Sequence, residues 1–314
     1  MSQELHVVVG AGSVGRATAE LLGASGHRVR VLSRRGRSVG LPAVECLACD
    51  AASVEQLAAA AAGATTIYNC ANPAYHRWTV EWPPLADALL TIAERLGAVL
   101  ATVSNLYVYG AVDGAMTPDL PMRPAGPKGA VRARMWRDAL AAHEAGRVRA
   151  VEVRGSDYVC PSDQSHLGDR VAPRVLAGRP VRVLGRADQP HSWTAVRDVA
   201  RTLVTVAADP TAHGRAWHVP SNPPRTQLEA VHDLCRVARV DPVRVGTLPS
   251  VALRLAGLVR PEAGALVEVL YQFRRPFVLD DSATRLAYGI EPTPWEMVLA
   301  ETLDAYRPGR AVRS

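Results

Sequence analysis

The feature that most constrains this chain is a glycine-rich turn near its start. Residues 5–9 are mostly apolar and β-branched, which is typical of a parallel strand buried on both faces. Gly10, Gly12 and Gly15 follow in G-x-G-x-x-G spacing, and residues 13–22 have the pattern of a helix. Such glycines allow a tight turn, a close approach to a pyrophosphate and close helix–strand packing. We therefore predict a dinucleotide site at this turn, including Ser13 and Val14 at the helix start.

The end of the second predicted strand indicates which nicotinamide dinucleotide is preferred. Residues 27–32 alternate as a strand and are followed by Ser33, Arg34 and Arg35. An NAD site usually has an acidic residue about 20 residues past the glycines, to hold the ribose 2′-hydroxyl. Two guanidinium groups and a hydroxyl suit a 2′-phosphate instead. The sequence thus predicts NADP(H) as the preferred cofactor, with NAD(H) possible.

Strand and helix patterns alternate through residue 153, without repeats or a low-complexity linker. This order predicts an α/β fold, a doubly wound parallel sheet of the Rossmann type, with its site at the carboxyl ends of the strands. Asp50 follows the third predicted strand and is expected near the adenine. Ala71 and Asn72 follow the fourth and are expected beside the cofactor's ribose and nicotinamide.

The alternation of predicted strands and helices becomes irregular beyond residue 155. We expect a dinucleotide-binding domain over residues 1–154 and a smaller C-terminal substrate-binding part over residues 155–314. One or two segments of the second part are expected to return to the main sheet.

The amino-acid composition of the chain limits the classes of protein to which it can belong. The chain has 48% hydrophobic and 21% charged residues, which favours a globular protein. Its net charge of +6 comes from arginines spread along the chain, so we expect no nucleic-acid partner. No apolar run is long enough for a membrane span and no leader is apparent, which predicts a cytoplasmic protein without a membrane partner. We expect reduced cysteines, no metal site, a small-molecule substrate, and a monomer or homodimer.

Five segments carry a resemblance to a known family. They are residues 9–15, 104–110, 154–161, 191–200 and 280–292. With them, the chain resembles the short-chain dehydrogenase/reductase superfamily of the extended or atypical type, the epimerase/dehydratase-like branch. The resemblance implies a Rossmann fold, a nicotinamide cofactor and a small organic substrate that is a carbonyl, an alkene or sugar-like.

The family's Ser-Tyr-Lys triad is degenerate in this chain. Its serine position falls on Asn105, directly after Ser104, and its Tyr-x-x-x-Lys falls on Lys128 and Arg132. Lys128 is the only lysine in a chain that otherwise uses arginine, which points to a need for a titratable amine. An arginine at position 132 would keep a positive charge beside the cofactor's ribose but would not act as an acid.

Three candidates for the proton donor remain open: Lys128, Tyr107 and the Tyr75–His76 pair. Tyr75 and His76 lie in a loop after the fourth predicted strand that is expected to border the substrate, and Tyr158 follows the sixth, where the substrate or the nicotinamide amide would lie. The resemblance implies that His191 and Trp193 line the substrate pocket. The leading interpretation is an NADP(H)-dependent oxidoreductase acting on a small organic substrate. The alternatives are a redox-neutral epimerase, dehydratase or isomerase with bound NAD(P), and a non-catalytic NADP-sensing regulatory protein.

Overall fold

The computed structural model describes residues 4–162 and 164–307. Within them, seven parallel strands form the main sheet in the order β3-β2-β1-β4-β5-β6-β10, and two small sheets pair β7 with β9 and β8 with β11. The strands are β1 (Leu5–Val9), β2 (Arg28–Ser33), β3 (Val44–Ala48), β4 (Ala64–Asn69), β5 (Val99–Asn105), β6 (Arg149–Gly155), β7 (Asp157–Val159), β8 (Val181–Leu184), β9 (Trp193–Ala195), β10 (Ala216–His218) and β11 (Val245–Leu248).

The helices connect these strands. They are α1 (Ser13–Ala24), α2 (Val54–Ala60), α3 (Trp78–Leu96), α4 (Pro127–Glu144), α5 (Ala172–Leu176), α6 (Val196–Ala208), α7 (Gln227–Ala238), α8 (Ser250–Gly257), α9 (Pro261–Val267), α10 (Ser282–Tyr288) and α11 (Trp295–Asp304), with 3-10 turns at Tyr75–Arg77, Leu106–Tyr109, Pro210–Ala212 and Leu270–Phe273. None of the described helices is both long and apolar enough to cross a bilayer.

Helices cover both faces of the main sheet, so neighbouring residues of one strand enter different cores. Val7 and Val9 of β1 pack in the core beneath α2 and α3, whereas Val8 packs in the core beneath α1 and α6. This two-sided burial explains the continuous apolar run of β1. The predicted doubly wound Rossmann-type sheet is confirmed.

The C-terminal half both returns to this sheet and builds its own core. Strand β10 pairs with β6 at the edge of the main sheet, and α6 packs against its face. A separate core lies among α5, α7, α11 and the small sheets. The division of the chain into two parts at residue 154 stays a prediction.

Some elements differ from their sequence patterns. Helix α3 begins at Trp78, although proline is favoured in the first turn of a helix and Pro83 and Pro84 therefore predict a start at Pro83. Burial of Trp78 and Trp82, at about 1.5–3 kcal/mol for a large apolar side chain, opposes the cost of the two internal prolines. The apolar pattern of residues 167–177 predicts a longer helix than α5, which is limited to Ala172–Leu176. The apolar residues from Phe277 onward predict a strand, but Phe277 forms only an isolated bridge with His191.

Close contact between α1 and the end of β1 gives a test of the fold. A Cβ on Gly15 would lie 1.8 Å from the carbonyl oxygen of Gly10. We expect Gly15→Ala to lower the free energy of unfolding by about 1–3 kcal/mol or more, because the backbone must shift. Gly23→Ala in the same helix is the control, since its Cβ meets only a Val44 methyl at 3.9 Å. Urea denaturation followed by circular dichroism checks this, and equal stability of the two variants would contradict it.

Candidate functional site

The glycine turn leaves open space at the N-terminus of α1. Gly10 has φ +109°, and a Cβ there would lie 2.6 Å from the Cys70 carbonyl oxygen. Gly12 is exposed, and a Cβ on it would meet no described atom within 4 Å. Ser13 is also exposed, and the first turn of α1 contains no acidic residue. The free N–H groups and the helix dipole therefore suit a pyrophosphate.

Basic and acidic side chains flank this turn on neighbouring strand ends. Ser33 ends β2, and its Oγ accepts a hydrogen bond from the Gly36 N–H at 3.1 Å. Arg34 and Arg35 follow and are exposed. Asp50, after β3, is exposed and accepts a hydrogen bond from the Ala52 N–H. The guanidinium groups are thus accessible to a phosphate at the adenosine end of a bound dinucleotide.

The loop after β4 borders the other side of the glycine turn. Ala71 donates its N–H to Asn69 Oδ1 at 3.3 Å, which closes a tight turn after the strand. Asn72 is exposed and donates from its side-chain amide to Gln164 Oε1. Because β4 pairs with β1, this loop and the glycine turn lie at the same edge of the sheet.

An ion pair lies at the start of α4. Lys128 is only 6% exposed, and its Nζ donates to Glu268 Oε2 at 2.6 Å. Its backbone N–H donates to Glu268 Oε1 at 2.7 Å. The carboxylate therefore also satisfies one of the N–H groups that have no partner within the helix. Gly126 leaves room for it, because a Cβ there would lie 2.6 Å from Glu268 Oε1.

Two tyrosines lie next to this ion pair. The Tyr75 hydroxyl donates to the Tyr107 hydroxyl at 2.9 Å, and Gln272 Nε2 donates to Tyr107 at 3.5 Å. Lys128 Nζ lies 4.9 Å from the centroid of the Tyr75 ring. Burial raises the pKa of both phenols well above the usual value, so both are neutral at pH 7. These hydroxyls are hydrogen-bond donors and weak bases.

The two residues that end β5 have different surroundings. Ser104 Oγ is buried and has no hydrogen-bond partner among residues 4–162 and 164–307. Its carbonyl oxygen accepts a hydrogen bond from the Tyr158 hydroxyl at 2.5 Å. Asn105 Oδ1 accepts from the Tyr107 N–H at 3.1 Å and so begins the 3-10 turn. The Asn105 oxygen is thus engaged in holding Tyr107.

Arg132 lies one turn along α4 from Lys128. It is 5% exposed, and its Nη1 donates to the Val103 carbonyl oxygen at 3.1 Å. Its guanidinium lies 4.7 Å and 4.2 Å from the ring centroids of Trp78 and Trp82. Burial lowers its pKa to about 10, which still leaves it charged at neutral pH. Arg132 is therefore a fixed buried cation beside the end of β5.

The remaining predicted substrate residues have different exposures. His76 is exposed, with its Nδ1 3.4 Å from Glu262. His191 is buried and its Nε2 lies 2.7 Å from Asp157 Oδ2. Although burial opposes it, the hydrogen bond to His191 lowers the pKa of Asp157. Trp193 is a core residue whose indole N–H donates to the Arg225 carbonyl oxygen.

The structure thus brings Tyr75, Tyr107 and Lys128 together, and it places His191 and Trp193 in internal packing. Sequence reasoning missed Glu268 and Gln272, which contact this group. One signal was present: Glu268 is the only charged residue in the apolar stretch 263–273. Its partner was not evident, because 140 residues separate it from Lys128.

Comparison with solved structures finds the same fold in sugar-nucleotide enzymes. A dTDP-glucose 4,6-dehydratase from Streptomyces venezuelae, solved with NAD, is 20% identical over 97% of each chain, with a TM-score of 0.78. A UDP-glucose 4-epimerase from Thermus thermophilus, solved with NAD, is 20% identical over 97% of this chain and 99% of its own, with a TM-score of 0.77. At these identities the similarity shows the fold alone. No curated protein sequence matches the chain.

Comparison with sequence profiles of protein families identifies the family of this chain. The profile of the NAD dependent epimerase/dehydratase family matches residues 6–219, which is more than half of the chain. The match begins in β1 and ends just after β10, so it includes the glycine turn, Lys128 and Arg132. It confirms the resemblance found in the sequence motifs. The chain belongs to the NAD dependent epimerase/dehydratase family.

Proposed function

We propose that this protein is a redox-neutral enzyme of the epimerase, dehydratase or isomerase type, with Lys128 as its acid–base residue. The observation that carries the proposal is the buried Lys128–Glu268 ion pair at the family's tyrosine position. Family membership supports an enzyme over an NADP-sensing regulatory protein. It also favours redox-neutral chemistry over the NADP(H)-dependent reductase suggested by the sequence.

The carboxyl edge of the sheet supports a bound dinucleotide. Gly12 leaves open space at the N-terminus of α1, where a pyrophosphate would accept backbone hydrogen bonds. Asp50 would meet the adenine side, and Ala71 and Asn72 the nicotinamide side. Arg132 would hold a fixed positive charge near the nicotinamide ribose. A nicotinamide held there would supply reversible hydride transfer at an alcohol carbon of the substrate.

Lys128 and Glu268 would supply the matching proton transfers. A redox-neutral cycle first removes the proton of a substrate hydroxyl and later returns a proton to the carbonyl oxygen, so one group must act as base and then as acid. The 2.6 Å hydrogen bond gives the amine proton a route to the Glu268 carboxylate. Neutral Tyr107, which accepts a hydrogen bond from the Tyr75 hydroxyl, would donate its own proton in a hydrogen bond to the substrate oxygen. Ser104 Oγ is a further donor without a protein partner among the described residues.

A second candidate is an NADPH-consuming reductase of a small carbonyl or alkene. It is favoured by Arg34 and Arg35, which are exposed at the end of β2 where a 2′-phosphate would bind. The two candidate functions differ in whether the reaction consumes reduced nicotinamide. We would incubate the protein and cofactor with sugar nucleotides and small carbonyls, following reduced nicotinamide by absorbance and products by NMR. Product without net cofactor change supports the redox-neutral enzyme, and stoichiometric NADPH loss supports the reductase.

Replacing Gly12 tests the dinucleotide site. We expect Gly12→Val to fold normally, since a Cβ there meets no described atom within 4 Å. The side chain would occupy the pyrophosphate position, and cofactor affinity should fall at least about tenfold, or ~1.4 kcal/mol. Titration calorimetry with NADP and NAD measures this. Gly246→Val on β11, whose Cβ also meets nothing, is the control. Unchanged affinity in a folded Gly12→Val protein would contradict the assignment.

Replacing Arg34 tests cofactor preference. A charge-assisted hydrogen bond contributes about 1.5–3 kcal/mol, so Arg34→Ala should lower NADP affinity by roughly one to two decades. NAD affinity should hardly change, because NAD lacks the 2′-phosphate. Arg28→Ala, at the opposite end of β2, serves as the control and should leave both affinities unchanged. Equal losses for NAD and NADP in Arg34→Ala would refute a preference set by this residue.

Replacing Lys128 tests the acid–base role. Lys128→Arg keeps the positive charge but removes the titratable amine, so turnover should fall by about 10²–10⁴ while cofactor affinity stays constant. Glu268→Gln keeps an oxygen for the helix N–H but removes the proton acceptor, and should also slow turnover. The control is Arg134→Lys on the exposed face of α4. If Lys128→Arg works at the wild-type rate, the lysine is only a cation and the tyrosines become the candidates.

A further inference from the structure

Three side chains with metal-binding atoms meet at the amino end of the main sheet. Strand pairing aligns Leu5 of β1 with Arg28 of β2, so the continued register sets Glu4 opposite His27. His6 is two residues after Glu4 and therefore points to the same face of the sheet. Strand register thus directs a carboxylate and two imidazoles toward one point. This point is separate from the glycine turn, because β1 spans about 13 Å between His6 and Gly10.

The donor atoms are close together. One ligand atom from each of Glu4, His6 and His27 lies within 4.8 Å of the others, and His6 Nε2 is 3.9 Å from Glu4 Oε2. The two imidazole rings are 4.4 Å apart between centroids and tilted by 60°. Tetrahedral zinc with bonds of 2.0–2.2 Å sets its donor atoms about 3.3 Å apart. The Glu4 side chain is 66% exposed, so few neighbouring atoms restrict the rotamers through which its carboxylate can approach the imidazoles.

His6 provides the observation that points to a ligand. Its side chain is only 8% exposed, and its buried Nε2 has no hydrogen-bond partner within the described ranges 4–162 and 164–307. A buried nitrogen without a partner is uncommon in proteins, because water is lost without replacement. This nitrogen lies on the side of the ring that faces Glu4. A bound cation would satisfy it.

A second residue fixes the orientation of this ring. His6 Nδ1 lies 3.2 Å from the hydroxyl of Tyr68, a buried residue of β4. Metal-binding histidines commonly hold their other nitrogen in such a hydrogen bond, which sets the tautomer and the ring direction. Tyr68 also stacks on His6, with 5.8 Å between ring centroids. The His6 ring is thus preset before any ligand binds.

We infer that Glu4, His6 and His27 form a zinc site that joins the beginnings of β1 and β2. Two imidazoles and one carboxylate suit a borderline cation such as Zn²⁺ and disfavour Mg²⁺, which prefers oxygen ligands. Three protein ligands leave a fourth position for water, on the exposed side of Glu4. Zinc that binds the folded chain but not the unfolded chain would stabilise the fold. No sequence motif indicated a metal site, because the ligands become neighbours only through strand register.

Metal titration of the full, untagged chain tests the site. We expect one equivalent of Zn²⁺ by calorimetry, a zinc-dependent rise in Tm, and no response to Mg²⁺. His27 is partly exposed and Glu4 is exposed, so the variants His27→Gln and Glu4→Gln should both fold, and each should weaken zinc affinity at least tenfold. Tyr68→Phe should weaken it by about tenfold through the lost hydrogen bond. The control is His232→Gln, on the exposed side of α7.

The variants distinguish a zinc site at these three residues from metal binding elsewhere on the chain. Loss of zinc binding and of the Tm rise in His27→Gln, but not in His232→Gln, supports the site. Absence of binding in the wild-type chain overturns it, as does equal affinity in wild-type and folded His27→Gln protein. Circular dichroism of each variant without metal identifies any loss of folding. Should Tyr68→Phe fail to fold, the two exposed-position variants decide the result.

Discussion

The carboxyl edge of the sheet depends on how closely α1 approaches β1. With no Cβ on Gly15, the helix can lie against the Gly10 carbonyl, and with no Cβ on Gly10 the chain can turn past Cys70. This contact fixes the N-terminus of α1 at the carboxyl edge of the sheet. The loops after β4 and β5 then lie beside it, because parallel strands end on the same side. The proposed cofactor site and the proposed acid–base residue therefore lie at the same edge of the sheet.

Local sequence patterns predicted the secondary structure at the carboxyl edge of the sheet. The glycine spacing and the alternation of strands and helices indicated the strand-helix-strand unit from β1 to β2, since those features are set by neighbouring residues. The role of Glu268 could not be predicted because 140 residues separate it from Lys128. No pattern in the sequence near either residue indicates that the two are in contact. The pairing of β7 with β9 could not be predicted either, because strands of three residues are too short to show an alternating pattern.

Under the proposed function, Lys128 carries out the proton transfer from the position of the family's tyrosine. In the family, a lysine lowers the pKa of a tyrosine; here burial raises the pKa of Tyr75 and Tyr107, and the lysine pairs with a carboxylate instead. The amine takes the tyrosine's place at the start of α4, while Arg132 keeps a positive charge one turn along the helix. In this proposal Arg132 supplies the charge near the ribose and Lys128 the acidity near the substrate, and the two residues cannot exchange roles because a guanidinium does not deprotonate near neutral pH.

The Glu268 contact also bears on the order in which the protein is assembled. Strands β1 to β6 are complete by residue 155, whereas the carboxylate that pairs with Lys128 is synthesised more than a hundred residues later. Chains emerge from the ribosome at about 5–20 residues per second, and early segments fold first. A nascent chain can thus form the glycine turn while α4 still lacks its acidic partner. Under the proposed function, the nascent chain could therefore bind its cofactor before it becomes catalytically competent, because the acid–base pair is complete only once the segment after α9 has been made.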